Sequence, residues 1–379
     1  MIFSVHPDTT TLLVLRCIWL NPSISRTDIS RIVNLDQSTI SRIVASLLES
    51  GIVLVVDEGQ SGPQGGRRPI YLQINSRFGC VAGIESSSDF YNLVGINLLG
   101  EIQFSAKQSH AQRDSGIIEL YHVALAHARK LAAESGLELL GIGIGLPGII
   151  DSQHGIIQKS IPLEINDPLA FIAALPSDDK LPVRIEHDAR CCCWAELTFH
   201  RGRCPPDFLC VLGEFRRNRI IHQEFQGIAL GLGLVLNNHI HAGQDNSAGE
   251  FRSVFYGNQQ KNNLFGIPDQ DLGRLETEPE IQHAFARELG RNLALLVNVL
   301  NISRVFVSGS IEKLGQALLE TIEREVRENW TYNQQGEFQI SFTRLGENAV
   351  AYGAAGMFLE MIFAPPDSNP ATKQLIGDL

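Results

Sequence analysis

One short stretch of the chain has residue types and spacing that could hold a phosphate group. Residues 83–102 read as two apolar strands joined by a tight polar turn that contains Ser86, Ser87, Ser88 and Asp89. A strand, a turn of small residues and a second strand can place backbone amides around a phosphate. A phosphate cradle favours glycines because they let the backbone approach closely, and this turn has serines instead. The turn is therefore either a nucleotide site or the remains of one.

A second set of polar residues has the chemistry of DNA recognition. One predicted helix exposes short hydrogen-bonding side chains and an arginine at its start, which suit base edges and phosphates. A glycine-rich segment further along ends in two arginines, which could reach phosphate or the minor groove from a flexible tip. The candidate DNA contacts are Gln37, Ser38, Thr39, Ser41, Arg42, Arg67 and Arg68.

The elements around these residues have the pattern of a winged helix-turn-helix domain over residues 1–78. Helical spacing predicts a first helix over 10–20 and a second helix capped by Ser25. A third helix starts at Asp36 or Ser38 and ends at Gly51. Two predicted strands, IVLVVDEG and IYLQI, follow it. The third helix of such a domain enters the major groove by its N-terminal part, although a domain used only for protein contacts is an alternative.

Composition agrees with a DNA-binding module on an acidic body. The 379-residue chain has a net charge of −11, yet arginines slightly outnumber acidic residues over 1–78. No apolar run reaches the roughly 20 residues that span a bilayer. The N terminus lacks the features of a signal peptide, so we expect a cytoplasmic protein without membrane association. The seven cysteines form no CxxC pair, which favours buried reduced thiols over a metal site.

Residues 79–379 change to alternating strands and helices. A predicted β-meander, GCVAGIES, FYNLVGINLL and EIQFSAKQ, precedes a helix over 115–136. Next come the strand and turn LLGIGIGLPGIID, the strand and helix PVRIEHDARCCCWAELTFHRG, and the glycine-rich strand pair IALGLGLVLNNHIHAG. A long helix is predicted over 279–300, and ENAVAYGAAGMFLEMI is the last helix. This order predicts a duplicated α/β body with two lobes, an actin-like and sugar-kinase (ribonuclease H-like) fold.

On these residues the chain resembles the ROK family of bacterial sugar kinases and repressors, in particular its repressor branch of xylose, N-acetylglucosamine and Mlc-type regulators. The matching pieces keep the family's order and spacing over essentially the whole chain. They are GGRRP, GLPGIID at 145–151, IEHDARCCCWAE at 185–196, GIALGLGLVLNNHIHAG at 227–243, SAGEF at 247–251 and FVSGSI at 306–311. The resemblance implies a winged helix ahead of a kinase-like body that senses a sugar or a sugar phosphate.

The resemblance also bears on the serine turn. In the family's kinases this turn reads Asp-x-Gly-Gly-Thr, and its amides and hydroxyl contact the phosphates of ATP. The present chain has Glu85, three serines and Asp89 there, so the turn resembles a relic. The family's second phosphate motif, at 227–233, keeps its glycines. Glycines also let two elements pack closely, and packing is the favoured interpretation.

By resemblance, His187 and Asp188 belong to the sugar site. The family's kinases have an Asn-Asp pair there, whose Asp takes a proton from a sugar hydroxyl. Mlc-type repressors resemble this chain in the His-Asp pair, and both side chains can hydrogen-bond a sugar without chemistry. Asp188 could instead cap the following helix, and the two uses can coexist.

Two glutamates complete the implied sugar site. Glu250 matches the family's Glu-x-Gly-His motif, and Glu276 matches the last glutamate of a cysteine-rich run. The histidine of the motif, which contacts sugar and binds zinc in the family, is Ser253 here. The zinc cysteines are absent, and Arg274 stands where the last would fall. We therefore expect neither zinc nor another cofactor, and a loop held by ordinary packing.

The leading hypothesis is a sugar-responsive DNA-binding regulator of carbohydrate metabolism genes, expected to be a repressor without kinase activity. It would bind a double-stranded operator as a homodimer or tetramer. The alternative is an ATP-dependent sugar kinase of the ROK hexokinase type that carries an N-terminal DNA-binding domain. Asp188 and the glycines at 231–233 favour that alternative, whereas the lost glycines at 85–89 oppose it. A regulator that binds a partner protein, such as a sugar-transport component, is a further alternative.

Overall fold

The computed structural model describes residues 8–58, 70–87, 90–109, 116–176, 181–200, 203–220, 223–255, 266–330 and 338–363. The chain divides into two compact units. The first consists of Met1–Glu186, Leu197–Gly202 and Ala354–Leu379, and the second of His187–Glu196 and Arg203–Gly353. Among the described residues, no helix combines the length and the apolar character that a membrane crossing needs.

The N-terminal residues form the predicted winged helix. Its elements are α1 (Thr9–Leu20), β1 (Ile24–Ser25), α2 (Arg26–Val33), α3 (Gln37–Glu49), β2 (Val53–Glu58) and β3 (Ile70–Ile74). The Ser25 Oγ caps α2 by accepting the N–H of Asp28 at 3.2 Å. Gly51 follows α3 with a φ of +80°, which confirms the predicted glycine at the helix end. The strands form one small sheet in the order β1-β3-β2.

A mixed sheet is the centre of the rest of the first unit. The elements along this part of the chain are β4 (Cys80–Ser86), β5 (Phe90–Asn97), β6 (Ile102–Ser109), α4 (Ile117–Glu134), β7 (Leu139–Leu146), β8 (Ile149–Asp151), β9 (Ile156–Lys159), a 3-10 turn (Ile172–Ala174) and β10 (Val183–His187). The five-stranded sheet has the order β10-β7-β4-β5-β6. The buried face of α4, with Tyr121 and Leu125, shares a core with Ile84 and Ile144 of the sheet. The predicted β-meander is confirmed.

The second unit repeats the sheet-and-helix plan. The remaining elements are α5 (Asp188–His200), β11 (Phe208–Ile220), β12 (Gln223–Leu236), β13 (His239–Ile240), α6 (Asp269–Leu272), α7 (Pro279–Leu300), β14 (Arg304–Ser308), a 3-10 turn (Ser310–Leu314), α8 (Gln316–Glu328), β15 (Gln339–Phe342), a 3-10 turn (Gly346–Asn348) and α9 (Ala349–Phe363). The ends of two of these helices, residues 197–200 of α5 and 354–363 of α9, belong to the first unit. The sheet has the order β13-β12-β11-β14-β15. Leu293 of α7 and Ile322 of α8 share its core with Val305 of β14.

The winged helix is attached to the sheet of the first unit through α1. The Trp19 indole N–H donates to the carbonyl of Leu98, in the turn between β5 and β6, at 2.9 Å. The Trp19 ring stacks on Phe363 at the end of α9, with centroids 4.8 Å apart and planes inclined by 11°. Arg16 pairs with Glu360 of α9 at 3.2 Å. The winged helix is therefore fixed to the rest of the first unit by a buried aromatic contact and a partly buried ion pair.

Candidate functional site

Two of the four predicted sugar residues, His187 and Asp188, lie at a junction between a strand and a helix. β10 ends at His187 and α5 begins at Asp188. His187 is 5% exposed, and the Asp188 side chain is 19% exposed. Asp188 Oδ1 accepts the N–H of Ala189 at 2.7 Å. Asp188 therefore bonds the next backbone amide at the start of α5, whereas an N-cap would accept from a residue two or three positions further on, and a fraction of its carboxylate still reaches solvent.

Three of the predicted sugar residues converge on one imidazole nitrogen. His187 Nε2 lies 3.2 Å from Asp188 Oδ1 and 3.9 Å from Glu250 Oε1. The Glu250 side chain is 53% exposed, so the group has an open side. Carboxylates accept hydrogen bonds from hydroxyls, and an imidazole can donate or accept. The arrangement suits a polyhydroxylated ligand, whereas two nearby carboxylates disfavour an anionic one.

β12 and the segment after β13 hold Glu250 in this group. Residues 231 and 250 form an isolated β-bridge, and Leu232 N donates to Gly249 O at 2.9 Å. Gly249 has a φ of +97°, and a side chain there would collide with the Leu232 carbonyl, so glycine is required. Arg190, only 1% exposed, donates to the Asn246 carbonyl at 3.1 Å. Arg190 was not predicted, and its only signal was a charged residue inside the apolar start of α5.

Ser253 is engaged by protein groups in a way that does not fit zinc. Its Oγ donates to Glu288 Oε1 and accepts from Asn292 Nδ2 at 3.1 Å. Ser253 is 3% exposed and Asn292 is 4% exposed. A neutral hydroxyl is not a usual zinc ligand, and residues 254–275 include no cysteine or histidine. The described residues contain no cluster of three or more His, Cys, Asp or Glu side chains that could hold a metal.

Glu276 and Arg274 lie in the turn that precedes α7. Arg274 pairs with Asp271 at 2.9 Å and with Glu278 through two nitrogens, so the position of the family's last zinc cysteine is an ion-pair site. Glu276 is half-buried, and its backbone carbonyl accepts from Gln282. The sugar-binding role of Glu276 stays a prediction.

The serine turn is part of a β-hairpin. Glu85 and Ser86 pair with β5, and the Ser87 N–H donates to the Phe90 carbonyl at 3.0 Å. That amide closes the hairpin and is not free for a phosphate oxygen. Ser86 is buried at 5% exposure. Ser88 and Asp89 lie outside the described residues.

The second glycine motif has a packing role. A Cβ on Gly233 would lie 2.4 Å from both the Ala189 carbonyl oxygen and the Cys193 Sγ. A Cβ on Gly231 would lie 3.1 Å from the Ala189 Cβ. These glycines let β12 approach the first turns of α5 closely, which confirms the packing interpretation at Gly233.

The predicted recognition helix presents its polar start to solvent. Gln37, Ser38, Ser41 and Arg42 are exposed, and Thr39 is half-buried. The hydroxyls of Ser38 and Thr39 donate to the N-cap, Asp36, at 2.5 and 2.7 Å, so these two hydroxyls organise the helix start as well. The other two candidates, Arg67 and Arg68, lie outside the described residues.

Family models and relatives match this combination of domains. A winged helix-turn-helix DNA-binding model matches residues 7–53, and the ROK family model matches residues 94–254. A putative xylose repressor of Caldicellulosiruptor sp. (strain Rt8B.4) is 26% identical over 94% of this chain and 96% of its own length. The xylose repressor of Bacillus subtilis (strain 168) is 25% identical over 92% of this chain and 96% of its own.

Solved structures share the fold at low identity. A ROK family transcriptional regulator, a homologue of the Escherichia coli Mlc protein, superposes with a TM-score of 0.72 at 19% identity, over 98% of this chain and 99% of that one. A ROK family glucokinase from Streptomyces griseus, solved in complex with glucose and AMPPNP, has a TM-score of 0.59 at 18% identity. It covers 74% of this chain and 99% of its own, so the regulator fold extends over more of the present chain.

Proposed function

We propose that this chain is a sugar-responsive transcriptional repressor of carbohydrate metabolism genes, because the ROK family model matches residues 94–254 and a winged helix-turn-helix model matches residues 7–53. The winged helix binds a double-stranded operator, and the body binds a sugar that changes operator affinity. Both processes take place in the cytoplasm. The relatives that align over nearly the full length are repressors by name, which supports repression over activation.

The convergence of His187, Asp188 and Glu250 is the observation that carries the effector half of this proposal. Two carboxylate groups lie within 3.9 Å of one imidazole nitrogen, His187 Nε2, along a partly open edge. Each carboxylate can accept hydrogen bonds from a pair of neighbouring sugar hydroxyls. The same charges repel a phosphate group, so a neutral sugar is the favoured effector and a sugar phosphate is not. Because its relatives are named xylose repressors, D-xylose is the first sugar to test.

A kinase activity is the second candidate, and Asp188 is the observation that favours it. Its partly exposed carboxylate could take a proton from a sugar hydroxyl. Against this, the Ser87 amide closes a hairpin and Gly233 packs against α5, so two groups that could cradle phosphate have other structural roles. We therefore favour a body that senses sugar without transferring phosphate.

Self-association is a further part of the proposal. The described part of α7 exposes Leu295 and Val299, with 52% and 71% of their surface accessible, one turn apart on the helix. Two-fold symmetry would match a pseudo-palindromic operator. A Leu295→Glu variant should sediment as a monomer, and an unchanged sedimentation coefficient would exclude this face from the dimer contact.

The proposed function is tested by measuring operator binding and ligand heats on the full chain. Fluorescence anisotropy against fragments of its own promoter region, with and without D-xylose or D-glucose, reports the sugar response. Calorimetric titration with MgATP, in the presence and absence of each sugar, reports nucleotide binding. A sugar heat with altered operator affinity and without an ATP heat supports the sensor. An ATP heat together with product formation would replace it by the kinase.

A further inference from the structure

We propose that Glu288 of α7 is a positioning residue that fastens both ends of the segment after Glu250, in the part of the chain where the family resemblance implied zinc. Glu288 Oε1 accepts from both the Ser253 hydroxyl, at 2.5 Å, and the N–H of Gly266, at 2.9 Å, and Oε2 lies 3.2 Å from the same Gly266 nitrogen. Residues 253 and 266 are thereby joined through one side chain. The proposal rests on the proposed function only for the role of Glu250 in sugar binding.

Asn292, one helical turn after Glu288, completes this clasp, defined here as Ser253, Glu288, Asn292 and Gly266. Asn292 Oδ1 accepts the N–H of Val254 at 2.9 Å, and its Nδ2 donates to both the Ser253 hydroxyl and the Glu288 carbonyl. The i to i+4 spacing places both polar side chains on the same face of α7. Asn292 is 4% exposed, so its amide has lost its hydrogen bonds to water on folding. The bonds to protein groups replace them.

The clasp brings the two ends of the segment together. A Cβ on Gly266 would lie 3.3 Å from the Phe255 carbonyl oxygen, so the described residues on either side of 256–265 are neighbours. The sequence predicts that ordinary packing holds this loop. At its two described ends, the Glu288 carboxylate and the Asn292 amide also hold the chain by directional hydrogen bonds. The bonds need no metal, which agrees with a chain that lacks the family's thiolates.

The clasp also limits the freedom of Glu250. Glu250 is bound to β12 by the bridge to residue 231, and three residues later the chain is anchored at Ser253. A carboxylate with 53% exposure keeps a fixed direction only when the backbone on both sides is restrained. Loss of the anchor at Ser253 would leave Glu250 restrained from one side only. Glu250 would then lose more conformational entropy when a sugar binds, which would weaken the affinity.

Hydrogen exchange of the full chain tests the clasp without any effector. In Glu288→Ala, the amide of Gly266 should exchange about tenfold faster, since it donates to Glu288 itself. The amides of Val254 and Phe255, which donate to Asn292 and to the Ser253 hydroxyl, should also exchange faster because Glu288 holds Ser253 in place. Glu280→Ala, an exposed glutamate at the start of the same helix, should leave those amides unchanged and is the matched control. Glu288→Gln, which keeps one oxygen acceptor, should give a smaller acceleration and remains informative if the alanine variant does not fold.

Two further readouts separate the clasp from the proposed function. A zinc chelator such as 1,10-phenanthroline should not change the wild-type exchange, and acceleration by the chelator would show a metal-held segment and overturn the proposal. Unchanged exchange in both Glu288 variants would overturn it as well. D-xylose affinity should fall in Glu288→Ala while operator affinity is kept. If the wild type binds no D-xylose, that effector assignment fails, yet the exchange experiment still decides the clasp.

Discussion

The ion pair between Arg16 and Glu360 gives a sharp test of how the winged helix is attached. The Nη1–Oε2 distance is 3.2 Å, and the side chains are 31% and 14% exposed. The Arg16 guanidinium also lies 5.9 Å from the centre of the Trp19 ring. Burial raises the pKa of the Glu360 carboxyl above its ordinary value, although the charge and hydrogen bond of Arg16 lower it. Desolvation therefore outweighs attraction, and the charged carboxylate is costly at this interface.

This balance predicts that removing the Arg16 side chain and removing the charge of Glu360 change the stability of the protein by different amounts. Arg16→Ala leaves the Glu360 carboxylate without its cation, which costs about 3–5 kcal/mol in a fully buried pair. Because about a third of the Arg16 side chain is exposed, we expect solvent screening to reduce the cost to ~1–3 kcal/mol. Glu360→Gln removes the costly charge and keeps a side chain of similar size. We expect it to change stability by less than about 1 kcal/mol.

The pH dependence has a defined sign. The folded-state pKa of Glu360 is raised above its ordinary value. The contribution of this carboxyl to the free energy of unfolding is therefore fully present below the unfolded-state pKa, and it is lost as pH rises through the folded-state pKa. Removal of Arg16 takes away the lowering charge and raises the pKa of Glu360 further. Arg16→Ala should therefore be more destabilising at about pH 8 than at about pH 5, and Glu360→Gln should remove this difference in the double variant.

Urea unfolding and amide exchange of α1, both measured across this pH range, check the prediction. Exchange is the more direct measurement because a chain of several domains need not unfold in one step. A larger destabilisation by Glu360→Gln than by Arg16→Ala at neutral pH would contradict a costly Glu360 charge. Equal destabilisation by Arg16→Ala at both ends of the pH range would contradict it as well.

Three further substitutions test the candidate sites. Arg42→Ala should weaken operator binding by roughly tenfold and reduce its salt dependence, and unchanged anisotropy titrations at physiological salt would remove this residue from the interface. Asp188→Asn keeps an oxygen that can accept the N–H of Ala189, so folding and operator binding should persist while the sugar response is lost; a surviving response would leave Asp188 as a helix-capping residue only. Gly233→Ala should lower stability by ~2 kcal/mol or more, because its methyl group would lie 2.4 Å from a carbonyl oxygen, and Gly231→Ala should cost clearly less at a closest distance of 3.1 Å. Equal melting temperatures for these two variants would contradict the packing role.

Local periodicity accounts for the features that could be predicted from the sequence. The start of α3 after Asp36, the left-handed Gly51 and the bounds of α7 all depend on residues within one or two helical turns. The candidate sugar residues were identified through their motifs and resemblance, and the structure brings Asp188 and Glu250 within 3.9 Å of His187 Nε2. The sugar-binding role of Glu276 and the DNA contacts remain predictions.

The sequence by itself determined a winged helix, a duplicated α/β body and the loss of the family's zinc ligands. Each of these follows from the types and spacing of residues that are close together along the chain. Only the tertiary structure decided what joins them. Arg16 and Glu360 are 344 positions apart, and Ser253 and Glu288 are 35 positions apart. The period of a helix or strand shows which face is buried but not which distant face covers it. The clasp around Glu288 and the attachment of α1 follow from that pairing, because burial strengthens hydrogen bonds and ion pairs only after the partner elements have met.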